Sequence, residues 1–323
     1  MILGKFLPPH LGHQFLVDFG RHYVDELLVL VCTLSREPIS GKLRFQWMRE
    51  MFAAFDNVRL VHVSDDLPQE PADHERFWEI WRDVVRRHQP RTDFVFASEP
   101  YGFKLAEVLD AKFIPVDPAR RIVPVSGSAI RAAPLANFQY LPPAVRPHFV
   151  RRICLFGPES TGKTVLAQRL AAHFRTAFVH EHARPLLDHK NGACEECDLP
   201  FIARGQAAAE DAMARQANRL LFCDTDPLLT TVWSEFLFGR CDEEVTRLAR
   251  QCTYDLYLLL NVDSAWVDDG QRFLSKRRQE FFDRCRAVLE KFGRPYVTIA
   301  GASWDERFER AVAAVNDAMS HWP

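Results

Sequence analysis

The chain has 323 residues, 47% of them hydrophobic and 26% charged; this is about twice the commonest domain length and apolar enough for two cores, which excludes a disordered chain. Basic and acidic residues balance, 18 against 18 up to residue 150 and 23 against 25 after it, so neither half has the composition of a nucleic-acid binder. The longest apolar runs, Leu27 to Cys32 and Leu256 to Leu260, fall far short of the roughly 20 residues that cross a bilayer, and with no signal-peptide pattern and eight dilute cysteines the chain reads as cytoplasmic with free thiols.

The amino terminus enters a strand at once and then a glycine and proline loop, Gly4-Lys5-Phe6-Leu7-Pro8-Pro9, followed by His10-Leu11-Gly12-His13. The helical run Phe15, Leu16, Val17 and Phe19 comes next, and its amino terminus can present N–H groups to phosphate. Short β-rich runs lie at 27–32, 58–63, 94–98 and 113–116, separated by amphipathic stretches, the grammar of βαβ units and a parallel sheet. The charge-dense stretch from Arg76 to Arg91 reads as a solvated helix face. Val125-Ser126-Gly127-Ser128-Ala129-Ile130-Arg131 is expected to join a strand to a helix start, with backbone N–H groups, two hydroxyls and an arginine.

Two separated anion-binding loops in one α/β domain imply a nucleotide. Imidazoles suit nucleotidyl transfer, because charge gathers on the equatorial oxygens of the α-phosphorus during attack and a donor placed there acts mainly in that transition state. A phosphate nucleophile, with a second pKa of about 6, needs no general base. The segment Phe138 to Phe149 holds three prolines in its twelve residues and reads as a linker. The expected division is a first domain at 1–140, a linker at 141–150 and a second domain at 151–323.

The second half begins with a strand at Arg152 to Phe156, and Gly157-Pro158-Glu159-Ser160-Thr161-Gly162-Lys163-Thr164 fits G-x-x-x-x-G-K-[ST] between strand and helix. In that motif backbone N–H groups cradle phosphate oxygens, Lys163 reaches the β- and γ-phosphates and Thr164 ligates Mg²⁺. Glu181 follows the strand Phe178-Val179, and Asp224-Thr225-Asp226 follows the apolar run 220–223; both place acids at strand ends, where α/β sheets collect ligands. One aspartate could hold Mg²⁺ and another acid could orient an acceptor hydroxyl; the lesser alternative is that Asp-Thr-Asp simply starts the next helix as a cap. Trp266 to Arg272, trailed by Lys276, Arg277 and Arg278, has the pattern of a lid bringing positive charge to a transferring phosphate. Cys194 and Cys197 with His189 are too few for a structural zinc site and read as a surface loop.

GKFLPPHLGH with VSGSAIR resembles the nicotinamide mononucleotide (NMN) adenylyltransferases, and GPESTGKT, EHAR, DTDPLLTT and WVDDGQR, in that order, resemble the ribosylnicotinamide kinase half of the NadR family. The resemblance covers nearly the whole chain and implies two α/β domains with parallel sheets, a Rossmann-like nucleotidyltransferase fold and a P-loop kinase fold. It implies ATP and Mg²⁺, the small-molecule substrates nicotinamide riboside and NMN, and the product NAD; a homo-oligomer is compatible with it. The family roles would put His10, His13, Lys5 and Arg131 on ATP phosphates, with Gly4, Phe6, Gly12, Ser98, Glu99, Ser126 and Ser128 around the nucleotide. Arg44 and Trp81 would meet the nicotinamide substrate. In the kinase half, Lys163 and Asp224 would be catalytic, and Gly157, Glu159, Ser160, Thr161, Gly162, Thr164 and Arg272 would hold ATP. Thr164 and Asp224 would hold Mg²⁺, and Glu181, Arg184 and Asp226 would face the riboside.

Enteric members carry an additional amino-terminal helix-turn-helix that has no counterpart upstream of the first strand, so repressor activity is not expected. His180-Glu181-His182-Ala183-Arg184-Pro185 departs from the family's aromatic-Glu-Tyr-x-Arg-Glu pattern. That departure motivates the alternative of a monofunctional adenylyltransferase with a nucleotide-sensing P-loop domain.

Overall fold

The computed structural model describes residues 1–264, 274 and 276–322, in two compact units, Met1–Val145 and Arg146–Pro323. The first unit contains β1 (Ile2–Gly4), α1 (Leu11–Tyr23), β2 (Leu27–Cys32), α2 (Gly41–Phe52), β3 (Val58–Val63), α3 (Phe77–His88), β4 (Phe94–Ala97), α4 (Tyr101–Leu109), β5 (Lys112–Pro115) and α5 (Gly127–Ala132). Its ladders, β1-β2-β3 and β4-β5, are parallel. The Met1 nitrogen donates to the Phe94 carbonyl at 2.6 Å and the Phe96 N–H to the Met1 carbonyl at 2.9 Å, which lays β1 beside β4 in the order β3-β2-β1-β4-β5.

All of β2 is buried, as its unbroken apolar run requires of a strand covered on both faces. Its residues alternate between two cores: Leu28 and Leu30 pack with Trp81, Val84 and Leu105, and Val29 and Val31 pack with Val17, Met48 and Phe52. The charges of α3 face solvent while Phe77, Trp81, Val84 and Val85 are buried. Strand order reverses between β1 and β4, and the loops leaving their carboxyl ends diverge there to open a crevice.

Two expectations differ from what is found. No strand runs into Val125. Residues 116–126 are irregular, and the Asp117 carboxylate accepts the N–H groups of Arg121, Ile122 and Val123 at 2.8–3.3 Å, satisfying the backbone without a ladder. The proline-rich stretch at 138–149 is also no loose linker, since Phe138, Leu141 and Val145 are buried. Phe138 opens a short 3-10 turn (Phe138–Tyr140), and Leu141 and Val145 follow it in a bend and a turn, so the segment packs apolar side chains inward without a regular helix.

The second unit contains α6 (Arg146–Phe149), β6 (Arg151–Phe156), α7 (Lys163–Phe174), β7 (Ala177–Val179), α8 (Ala183–His189), α9 (Leu199–Ala214), β8 (Leu220–Asp224), α10 (Pro227–Phe238), α11 (Glu243–Gln251), β9 (Leu256–Leu260), α12 (Arg278–Lys291), β10 (Tyr296–Ile299) and α13 (Trp304–His321). The sheet β10-β9-β6-β8-β7 is parallel throughout, with β6 central. Leu155, Leu166, Leu170, Phe222, Leu258, Ala311 and Val315 form a core beneath it, each large side chain contributing about 1.5–3 kcal/mol by burial. The loops after β6, β7 and β8 open at one end of this sheet. Among the described residues no helix is long and apolar enough to cross a membrane.

Candidate functional sites

In the first unit the loop after β1 turns through Phe6, at φ 47°, and enters α1 at His10, whose Nδ1 accepts the Gly12 N–H at 3.1 Å as the helix cap. The rings of His10 and His13 stack with centroids 3.8 Å apart and planes 30° apart, and Phe6 lies 4.8 Å from His13. Burial, reinforced by the Arg120 charge, pushes His10 down to about 4, and burial with the His10 and Arg120 charges holds His13 well below its ordinary value. Both rings are therefore neutral near pH 7. A neutral imidazole still donates one N–H, so the pair can approach an anion without an ionised group being buried beforehand.

The second predicted loop comes back to the first. Arg131 on α5 donates to the Leu7 carbonyl and, at 3.4 Å, to Ser128 Oγ, while Ser126 Oγ caps α5 by accepting the Ala129 N–H at 3.1 Å. Between the loops lies a cavity of about 920 Å³. Gly4, Lys5, Phe6, His10, Gly12 and His13 line it from the first loop, Ser98 and Glu99 from the end of β4, Ser126, Ser128 and Arg131 from the second loop, and Trp81 from α3.

Arg44 is the exception among the first-half predictions. It is wholly buried, donates to the carbonyls of Lys5 at 2.6 Å and Ile39 at 3.1 Å, and pairs with Glu37. It therefore braces the Lys5 loop from behind instead of lining the cavity. Arg120 lines the cavity and pairs with Glu99 at 3.1 Å. No motif marks it, and only the Asp117-capped loop brings it there.

In the second unit the loop from β6 to α7 carries positive φ at Gly157, Ser160 and Gly162. A Cβ on Gly162 would lie 2.3 Å from the Trp304 ring, so the indole at the start of α13 rests on a position that only glycine can fill. Arg307, buried on the same helix, donates to the Thr161 carbonyl at 3.0 Å and the Asn261 carbonyl at 3.1 Å. Lys163 Nζ reaches the carbonyls of Gly157 and Pro158 at 3.1 and 2.9 Å. Glu159 accepts the Leu274 N–H, and Thr161 Oγ donates to the Pro158 carbonyl.

Thr164 Oγ donates to Asp224, which is fully buried at the end of β8 and whose other carboxylate oxygen has no partner among the described residues. Burial, with Glu181 adding and Lys163 opposing, raises Asp224 to about 6. A hydroxyl and a carboxylate with an orphaned oxygen fit Mg²⁺, which takes one or two protein oxygens and keeps several waters.

The adjoining cavity, about 190 Å³, is polar at Lys163, Thr164, Glu181 and Arg184 and apolar at Leu187, Leu199, Ile202, Leu229, Trp233 and Leu237. Arg184 lies 4.0 Å from the Glu181 carboxylate. Asp226 does not join it: buried, it caps α10 by accepting the Leu229 N–H and takes the Tyr257 hydroxyl on its other oxygen, both at 2.8 Å. Pro227 opens α10 there, and a helix start requires a cap.

Trp233 escaped the sequence reading; its one signal is the apolar spacing with Leu229 and Leu237 along α10. Arg272 and the rest of 266–272 lie outside the described residues. Of the cations that trail them, Arg277 pairs with Glu280, and Arg278 donates to the carbonyls of Ser160 and Ser264. Cys197 is exposed as expected, whereas Cys194 lines the cavity. The nearby Glu195 and Asp198 both hold Lys190 Nζ at 2.7 Å.

Comparison with known proteins adds the following. A family model described as an AAA domain matches residues 152–307. The trifunctional NAD biosynthesis/regulator protein NadR of Escherichia coli K12 is 30% identical over 343 residues, covering 99% of this chain and 83% of that protein. The protein of the same name from Salmonella typhimurium LT2 is 30% identical over 344 residues with the same coverage. The crystal structure of a NadR protein in complex with NR superposes with a TM-score of 0.79 at 21% identity, over 98% of this chain and 95% of that one. A NadR complex with NAD and AMP-PNP gives 0.77 at 21% identity, over 100% and 96%.

Proposed function

The chain belongs to the NadR family, and from that premise we propose that it is a bifunctional enzyme of NAD biosynthesis, phosphorylating nicotinamide riboside in its second unit and adenylating the resulting NMN in its first. The observation that carries the first activity is the meeting of two loops, one with Lys5 and a stacked pair of neutral imidazoles and the other with Ser126, Ser128 and Arg131, around one cavity of about 920 Å³. On this reading the first unit is a Rossmann-like nucleotidyltransferase whose nucleophile is an NMN phosphate oxygen. That oxygen attacks the α-phosphorus of ATP, the P–O bond to the β-phosphate breaks, and pyrophosphate leaves. His10 and His13 donate N–H bonds to oxygens that gain charge in the transition state, and Lys5 and Arg131 hold the departing phosphates.

In the second unit the proposed acceptor is a riboside hydroxyl. Glu181 faces the cavity and would accept the hydroxyl proton as its oxygen attacks the γ-phosphorus and ADP departs. Lys163 would neutralise charge on the transferred group. Thr164 and Asp224 would hold Mg²⁺, whose charge would offset that of the phosphate oxygens. The apolar end at Leu199, Ile202 and Trp233 offers a dry wall for the base.

The test is the product sequence. Given nicotinamide riboside, ATP and Mg²⁺, the protein is expected to form NMN and then NAD, read by chromatography. NAD from supplied NMN with no turnover of the riboside would overturn the kinase assignment and leave a nucleotide-sensing second unit.

A further inference from the structure

Glu181 follows β7 and Asp224 ends β8, and on the kinase reading the acceptor held at Glu181 must stand at a fixed distance from the phosphate whose Mg²⁺ Asp224 would hold. Helix α9 runs beneath both loops and touches each through consecutive residues. The Gln206 side chain, 2% exposed and outside the cavity wall, accepts the His182 N–H on Oε1 at 3.0 Å. From Nε2 it donates to the Thr225 carbonyl at 3.4 Å and to Glu210 Oε1 at 3.2 Å. The sense of the amide is therefore fixed: its oxygen must face the N–H and its nitrogen the two acceptors. Glu210, itself buried, is held by the Tyr254 hydroxyl at 2.8 Å and by Arg152 at 3.3 Å, so the anchor under the amide is itself anchored.

Two further observations bear on how the loops are held. Thr225 has φ 73°, a conformation that β-branched residues adopt only when their surroundings enforce it. Its N–H is held by the Leu155 carbonyl at 3.2 Å and its carbonyl by Gln206, so the turn that aims Asp224 is gripped from both sides. At Gly205 a Cβ would come within 1.9 Å of His182 Nε2; without a side chain there, the His182 ring lies directly on α9 and sets the height of the Glu181 loop.

We infer that Gln206 is a positioning residue of the second site, an amide clamp that sets Glu181 against the Asp224 carboxylate. The assignment rests on the kinase reading for its catalytic consequence and on geometry alone for its structural one. The phosphate loop is braced separately through Arg307, and from that loop Thr164 still holds the Asp224 carboxylate, so loss of the clamp displaces the Glu181 side first and ATP binding least. A displacement of about 1 Å at reacting groups costs on the order of 10²-fold in rate.

The experiment uses the full-length protein with Gln206→Met, which keeps length and burial but removes the amide, and Gly205→Ala, which disturbs the same loop by a second route. Amide hydrogen exchange is expected to rise about tenfold or more at 180–184 and at Thr225 in Gln206→Met, with exchange in α7 unchanged. In riboside phosphorylation, kcat is expected to fall about 10²-fold with the KM for ATP within about twofold, and Gly205→Ala is expected to repeat that split. Unchanged exchange at 180–184 in a folded Gln206→Met protein overturns the clamp, as does an equal loss of ATP binding. If wild-type protein leaves the riboside untouched while exchange responds as stated, the clamp stands and the kinase substrate is what fails.

Discussion

The two units solve one electrostatic problem with opposite chemistry. The first lines a wide cavity with buried imidazoles that burial keeps uncharged, and its cations, Lys5, Arg120 and Arg131, stand around them. The second has a narrow cavity with Lys163, Glu181 and Arg184 on its wall, and beside or behind it two acids, Asp224 and Asp226, that burial pushes toward the protonated form. Burial disfavours charge in both, but it lowers a histidine and raises a carboxylate. The same physical cause therefore gives the units opposite responses to pH.

The sharpest way to break this contrast is to remove the central donor of each site. Lys163→Ala is expected to lower riboside phosphorylation by about 10²–10³-fold and leave NAD formation from NMN at the wild-type rate. His13→Ala is expected to do the reverse, with a loss of similar size. Loss of both activities in either variant would mean that the sites are not independent.

Acid and base should next separate the units by stability. His10 sits near 4 in the folded chain against an ordinary 6.5, so between these values the unfolded chain binds the proton first. The first unit's share, about 3 kcal/mol for such a shift, is present above pH 6.5 and lost as pH falls toward 4. Asp226 runs the other way: raised by burial from 3.8 to about 6, it favours folding below pH 3.8, and that share, also about 3 kcal/mol, is lost as pH rises through 6. Hydrogen exchange followed segment by segment in the whole chain should show β2 amides less protected and β8 amides better protected on acidification from pH 6.5 to 4.5. A parallel response of the two would refute the opposition.

The smallest effect sharpens the account. Asp226→Asn keeps an acceptor for the Leu229 N–H and removes the titrating group, so it should flatten the second unit's pH dependence. At pH 4 it should cost less than about 1 kcal/mol. Because Asp226 lies behind the cavity, the riboside KM should stay within about twofold, as steady-state kinetics would reveal.

What the sequence disclosed follows the same physical divide. Strands such as 27–32 and 220–224, and the loops at 10–13, 126–131 and 157–164, were legible because period, glycine placement and helix starts are local properties. Which way a side chain turns is not. Arg44 and Asp226 lie next to the cavity-lining Lys5 and Thr225 and point into the protein, one to brace the Lys5 carbonyl and the other to cap a helix. Arg120, Trp233 and Gln206 belong to no motif, and only the closing of loops and helices around the two cavities brings them into play. The buried triad Phe138, Leu141 and Val145 was hidden by the prolines between its members.

Arg307 has a consequence for the order of events during synthesis. Its guanidinium supports the phosphate loop at Thr161 across 146 residues of chain, and that contact cannot form on the ribosome until nearly the whole second unit has emerged. The nascent loop is thus without its brace while its own strand and helix are already made. The second unit acquires a finished phosphate cradle only as its last helix docks, whereas His10 and His13 share a helix start and come together within the first turn translated.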